Sequence, residues 1–368
     1  MVRSCGFIAT PPGATIKEQL NDRGMSQKEF AARMDMSEKH ISRLISGDLY
    51  LEMKRGLCVL TNEDKYVARI LFKNKVLEYK GQTFEDFFVS VMTKAEPGFQ
   101  AVKSYGNIGD RKNDGFIRTT GTYYQVYAPD DISKEKTIGD AVKKLENDFK
   151  GLYQNWNDTC KIKKYYFVVN DRYEGLPAPI IQKACELNSD PLYSDIEILT
   201  FTAKELQKVF ETLDEMDMHE VVGFIPNVSI GMIEYDALNE VVKYLLDAEL
   251  PEHTDDKLVV PDFAEKIIFN SLSKEIEVKL TTGSYQEGLL NKYFNENPGI
   301  KEVLQKKFNA LYLQACEIIA DSQENASDCR CYYILENSAP KRTIPIFTCI
   351  WVLMAYYFST CDIFEEPK

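Results

Sequence analysis

Between Gly109 and Pro129 the chain reads GDRKNDGFIRTTGTYYQVYAP, with two short strand-type runs, Gly115–Thr119 and Thr122–Tyr127, on either side of Gly121. Glycine supplies the positive φ that a tight reversal needs, so this stretch is constrained to a β-hairpin. Side chains alternate faces along a strand, which places Tyr123, Gln125 and Tyr127 together. Asp114 enters the first strand, and pairing across the hairpin brings Gln125 near it. A carboxylate beside a carboxamide oxygen is the raw geometry of a site for a hard metal ion.

The hairpin stands within a regular succession. Upstream, Phe84, Phe87, Phe88 and Val91 recur at helical spacing in Gln82–Thr93, with Thr83 as N-cap. Glu85 lies at the edge of that apolar stripe. It reads either as a carboxylate pointing toward the adjoining sheet or as an ordinary first-turn acid favoured by the helix dipole. Strand Phe99–Tyr105 precedes the hairpin. Helix Thr137–Tyr153, strand Lys164–Asn170, helix Pro179–Leu187, strand Ile196–Phe201 and helix Ala203–Leu213 follow it. A helix, three strands and then alternating helices and strands predict an α/β sandwich. The many tyrosines of this region fall at strand and helix spacing and are expected in its core.

The first fifty residues have a different pattern. Ile16–Arg23 is a short helix closed by Gly24; Ser26 and Glu29 form a capping box for a second helix through Met34; Ser37 caps a third, Glu38–Ser46, closed by Gly47. The third segment of different character lies beyond Tyr66–Tyr79, which is expected to join modules, and beyond the Pro226 linker. Helical stretches Tyr235–Leu246, Asp262–Leu272, Tyr285–Asn295, Gly299–Ala320 and Ile344–Ser359 are separated by Gly, Pro and Asn-Pro breaks. Ile344–Ser359, IPIFTCIWVLMAYYFS, is uncharged but falls short of the ~20 residues needed to span a bilayer and has no basic flank. A buried central helix is expected there, not a membrane anchor. Cys329, Cys331, Cys349 and Cys361 show no CxxC pair, so buried thiols are expected and not a zinc site.

Lys and Arg number 44 against 57 acidic residues, a formal charge of −13. That balance excludes a surface built for non-specific binding to nucleic acid or membrane, so any contact with DNA is local. The nine cysteines are odd in number and lack a framework spacing. With no leader of secretory type, reduced thiols in a cytoplasmic protein are the expectation.

The run MSQKEFAARMDMSEKHISRLISG resembles the Cro/C1 (Xre) helix-turn-helix, over roughly Thr10–Gly47. The resemblance implies double-stranded DNA as a partner, with the second helix of the motif in the major groove. Ser37, Lys39, His40, Ser42 and Arg43 become the candidate DNA-binding residues, with Gln27 at a phosphate. After Gly47 the clean helices that many relatives use to dimerise are missing, so a homodimer stays open.

Glu85 on a helix, Asp114 before the second strand and Gln125-Val126-Tyr127 on the third resemble the restriction-endonuclease-like, PD-(D/E)xK, nucleases. The resemblance implies Mg²⁺ held by Glu85 and Asp114 and a catalytic set completed by Gln125 and a lysine. Here Tyr127 stands at the lysine position. A neutral phenol supplies no positive charge to the attacking water, so Lys143 or Lys144 from the next helix, or Lys103, must reach back if the site is active. An active Mg²⁺-dependent endonuclease and a site that has lost cleavage both remain open. Finally, YYFSTCDIFEEP, together with the hairpin strings, resembles accessory subunits of bacterial three-component systems linked to phage defence, which implies an ABC-type ATPase as partner.

The expected architecture is α+β and multidomain: a helix-turn-helix domain over 1–60, an α/β restriction-endonuclease-like sandwich over 65–218, and an all-α partner-binding domain over 225–368. The expected function is that of a DNA-binding component of a defence or regulatory system. An endonuclease and a non-catalytic assembly subunit are the alternatives.

Overall fold

Phe84, Phe87, Phe88 and Val91 are all buried, and the stripe they make sets the first layer of the fold. A computed structural model describes Ser26 and residues 62–103, 111–223, 230–250, 263–360 and 363–365. The chain divides between Thr61 and Asn62, and Asn62–Lys368 makes one compact unit. Gln27, Ser37, Lys39, His40, Ser42 and Arg43, the candidate DNA-binding residues, lie outside the described residues, as do Cys361 and the Pro226 linker.

The compact unit opens with helices α1 (Asn62–Glu78) and α2 (Gly81–Ala95). Strands β1 (Phe99–Ala101), β2 (Gly115–Ile117) and β3 (Thr122–Tyr127) follow, then α3 (Glu135–Trp156), β4 (Lys164–Val169), α4 (Ala178–Asn188), β5 (Glu197–Phe201), α5 (Ala203–Glu211) and α6 (Glu215–Val222). The five strands lie side by side in chain order. β1, β2 and β3 pair antiparallel, whereas β3, β4 and β5 pair parallel through the α3 and α4 crossovers. The expected hairpin is present. Gly121 adopts φ 69°, and β2 stops at Ile117, two residues earlier than its composition suggested.

Alternation along β3 divides the core between the two faces. On one, Phe88 of α2 packs against Tyr124 and Phe201 at ring distances of 5.7 and 5.9 Å. On the other, Phe149 of α3 packs on Tyr165 at 5.2 Å, and Tyr123 lies 5.9 Å from Trp156. Of the tyrosines expected in the core, Tyr123, Tyr124 and Tyr165 are buried, whereas Tyr127, Tyr153 and Tyr166 are partly exposed.

Tyr66–Tyr79, expected as a joining stretch, is instead the body of α1. Phe72 stacks on Phe210 of α5 at 4.5 Å and contacts Phe87 of α2 at 5.1 Å. The opposite side of α1 is also covered, since Asn74 donates to the Cys329 carbonyl at 2.9 Å and Tyr66 to Asp328 Oδ2 at 2.7 Å. A helix buried on two sides, with Lys73 and Asn74 among its buried residues, has no single apolar stripe to betray it.

The remaining helices are α7 (Tyr235–Asp247), α8 (Phe263–Phe269), α9 (Lys274–Ser284), α10 (Glu287–Glu296), α11 (Ile300–Ile318), α12 (Ala326–Asn337) and α13 (Ile344–Ser359). α6, α9 and α12 are additions to the expected set. α13 is the expected central helix: every residue from Ile346 to Phe358 is buried, Trp351 completely. Burying aliphatic and aromatic side chains of this size contributes about 1.5–3 kcal/mol each. α9 approaches it closely because residue 283 is glycine; a Cβ there falls 3.0 Å from the Trp351 carbonyl oxygen. No helix among the described residues is long and apolar enough to cross a membrane. Cys329, Cys331 and Cys349 are buried thiols, as expected. Burial pushes Cys329 up to about 12 and Cys349 up to about 11, which keeps both protonated and unreactive.

Candidate functional site

The register pairs Gly115 with Tyr124, which sets Asp114 opposite Gln125. Asp114 is buried at the head of β2, where its Oδ2 accepts from Gln125 Nε2 at 2.7 Å and from the Val126 backbone N–H at 2.6 Å. The juxtaposition expected from the hairpin is therefore present. It is a carboxylate clamped by two donors, and the carboxamide turns its nitrogen, not its oxygen, toward the acid. Gln125 Oε1 is left buried without a partner, as are both polar atoms of Asn113.

Asp114 and Gln125 share the sheet face covered by α3. Asp148 of α3 is buried there and holds two lysines, Lys112 Nζ on Oδ1 at 2.9 Å and Lys144 Nζ on Oδ2 at 2.5 Å. Tyr165 of β4 packs on Phe149 of α3 on the same face. Its hydroxyl is buried without a partner, and burial first, then the charges of Asp148 and Asp114, hold its pKa well above the ordinary phenol value. The loop that delivers Lys112 is unusual, since Arg111 and Lys112 both adopt positive φ, 55° and 67°. Two successive non-glycine residues in this region cost of order 1–3 kcal/mol each, and the half-exposed Lys112 they position reaches the buried Asp148.

The other expected members lie elsewhere. Glu85 is on α2, the helix covering the opposite face of the sheet, and accepts from Gln82 Nε2 of its own helix at 3.0 Å. Lys143 is exposed on α3, whereas its neighbour Lys144 is the one turned to the buried acid. Tyr127 keeps a neutral phenol, its pKa raised by burial and then by Asp140. Asp148 went unremarked in the sequence, although a signal was available: it interrupts the apolar face made by Ala141, Leu145, Phe149 and Leu152.

This donor set does not fit Mg²⁺. The ion takes six oxygens in near-octahedral geometry, usually with one or two carboxylates. Here one acid is occupied by two N–H donors and the other by two ammonium groups, and Glu85 is on the far face. No group of three His, Cys, Asp or Glu residues suited to a metal occurs among the described residues. Chemically, the arrangement holds the fold: Asp114 ties the head of β2 to β3, and Asp148 of α3 holds Lys112 from the loop before β2.

Comparison with known families adds two findings. A Cro/C1-type helix-turn-helix family model matches residues 16–50. The family described as C-terminal domain 10 of the ABC-three component (ABC-3C) systems matches residues 236–365, which contain the helices from α7 to α13. Neither match reaches the α/β sheet. No curated protein and no solved structure matches the chain.

Proposed function

We propose that this chain is a DNA-tethering assembly subunit of a bacterial ABC three-component defence system, working in the cytoplasm. The observation that carries the proposal is the pair of family matches at opposite ends of one chain, a DNA-binding motif over 16–50 and a three-component-system domain over 236–365. The first end holds duplex DNA through Ser37, Lys39, His40, Ser42 and Arg43, with Gln27 on a phosphate. The second end docks a partner subunit, an ATPase of the ABC class. The intervening segment is read as a nuclease-like core on the resemblance of its element order alone. Its acids serve the fold and do not cut, a reading supported by the clamped Asp114, the lysine-paired Asp148, the remote Glu85 and the phenol at 127.

A mobility-shift assay with Lys39→Ala plus Arg43→Ala tests the DNA-binding half. Removing two phosphate or base contacts is expected to weaken binding at least tenfold and to make its salt dependence shallower by about 2 in log–log slope. Equal affinity at matched salt would remove this assignment. Co-expression of the full chain with an ABC-class ATPase subunit of such a system tests the other half, which fails if the two do not co-purify.

A further inference from the structure

The carboxyl ends of β4 and β5 open into a cavity of about 950 Å³, which is bounded by α1, the loop after β4, the start of α5 and the loop between α11 and α12. Its position follows a general rule of open sheets, in which ligands bind in the crevice beyond the carboxyl ends of parallel strands. Its volume lies in the range of sites for cofactor-sized molecules, roughly 300–1,000 Å³.

The walls are held in costly conformations. Arg172 and Tyr173 adopt φ 49° and 64° in succession, and Asn325 across the cavity adopts φ 58°. Asp171 fixes the first of these loops by accepting from the backbone N–H groups of Gly175 and Ala203, at 3.0 and 2.9 Å. Strained non-glycine residues persist where surrounding contacts over-determine them, and they concentrate at ligand sites.

The charges lining the cavity are unequal in what they have left to give. The Asp171 carboxylate is occupied by those two amides. Arg69, Lys204, Glu174 and Glu324 are all exposed, so two acids share the rim of the cavity with two cations. Arg69 and Lys204 enter no ion pair among the described residues, with these acids or any other. Lys73 is buried between the Glu324 carbonyl at 2.6 Å and the Tyr173 ring at 5.4 Å, and no carboxylate among the described residues pairs with it. Tyr173 also has a buried hydroxyl without a partner, and burial keeps that phenol protonated as a donor. The amino-terminal end of α5 forms part of the same wall, its Ala203 N–H already taken by Asp171 and its Thr202 cap by Glu205. The Lys73 ammonium together with the unpaired Arg69 and Lys204 suits an anion with several oxygens.

We propose that this cavity binds a phosphorylated small molecule of nucleotide size, its phosphates held by Arg69, Lys73 and Lys204. The walls come from both the sheet and the helical layer that matches the three-component family. Gln323 of the latter already donates to the Arg172 carbonyl at 3.1 Å. Occupancy therefore clamps one to the other, and gives the helical layer a way to respond to a metabolite.

The test uses the full chain, with ATP, pyrophosphate and inorganic phosphate as probes, read by thermal unfolding and by calorimetric titration. ATP is expected to raise the unfolding midpoint in a concentration-dependent way. Arg69→Ala plus Lys204→Ala, both at exposed positions, is expected to keep the ligand-free midpoint and to weaken binding about tenfold or more. If that double variant unfolds, Arg69→Gln alone gives the same comparison. Pyrophosphate binding as tightly as ATP also supports a phosphate site and assigns the affinity to the phosphates. Three results would overturn the proposal: no probe binds the parent, the double variant binds as the parent does, or binding is lost in Lys39→Ala plus Arg43→Ala while surviving in the cavity variant. Displacement of ATP by a saturating DNA duplex would overturn it too, by assigning the cations to the DNA backbone.

Discussion

Asp114→Ala distinguishes a structural acid from a catalytic one. Its Oδ2 accepts from Gln125 Nε2 and the Val126 N–H, and Asp114, Gln125 and Val126 are 3, 4 and 6 % exposed. Alanine removes the acceptor and leaves two buried donors. Each costs about 1–3 kcal/mol when unsatisfied. Water admitted to the vacated space and relief of the buried carboxylate's desolvation return part of this, for a net loss of about 2–4 kcal/mol. Asp114→Asn keeps the shape and one acceptor oxygen and is expected to lose about 1 kcal/mol. Urea unfolding measures both, and the two tryptophans report separately. Trp156 packs 5.3 Å from Phe116 of β2, while Trp351 lies in α13. With a urea slope near 3 kcal/mol per molar, the alanine variant shifts the Trp156 midpoint down by about 1 M. A shift under about 0.2 M would refute the clamp. The same proteins incubated with supercoiled plasmid and Mg²⁺ or Mn²⁺ are expected to leave it intact. Cutting by the parent that is lost in folded Asp114→Asn would refute the structural reading.

Three further outcomes follow from other parts of the fold. Tyr66→Phe removes the 2.7 Å hydrogen bond to Asp328, whose other oxygen accepts from the Ser273 N–H; a loss of about 1–2 kcal/mol is expected, and an unchanged midpoint would contradict it. Gly283→Val pushes a branched side chain against the Trp351 carbonyl and the Ala355 methyl, 3.0 and 3.1 Å from the Cβ position, and is expected to cost about 2–3 kcal/mol in Trp351-detected unfolding. Glu78, Glu275 and Glu336 all have pKa values raised above 4.5, with burial the largest cause and Lys75, Lys279 and Arg342 opposing it. The folded state thus holds more protons than the unfolded one just above pH 4.5, so these groups make stability fall as pH rises through that window. The difference in unfolding midpoint between about pH 5 and pH 7 is expected to shrink in Glu336→Gln; an unchanged difference would exclude Glu336 as a contributor.

Much of the α/β order was legible because local periodicity is written into adjacent residues. The alternation in TYYQVY placed β3 at Thr122–Tyr127, and the uncharged run IPIFTCIWVLMAYYFS placed α13 at Ile344–Ser359, both with the bounds observed. The Asp114–Gln125 meeting was legible for the same reason, since a hairpin across Gly121 determines its own register. The character of that meeting was not. Whether Gln125 offers its oxygen or its nitrogen depends on what surrounds the pair, and Glu85 was assigned to it only because chain order cannot say which face of a sheet a helix will cover.

What the sequence by itself determined is the set of elements with one apolar face and the turns between them. Tertiary structure alone decided the pairings between distant segments. Asp148 looks like any helical acid until Lys112 arrives from the loop before β2. Lys73 and Asn74 look like polar residues in a joining stretch until Glu324 and Cys329 supply their carbonyls. The cavity beyond β4 and β5 draws its walls from segments that share no local pattern. The physical reason is one of range: backbone periodicity acts between neighbours in the chain, whereas burial of a charge becomes tolerable only after folding has brought its partner into contact.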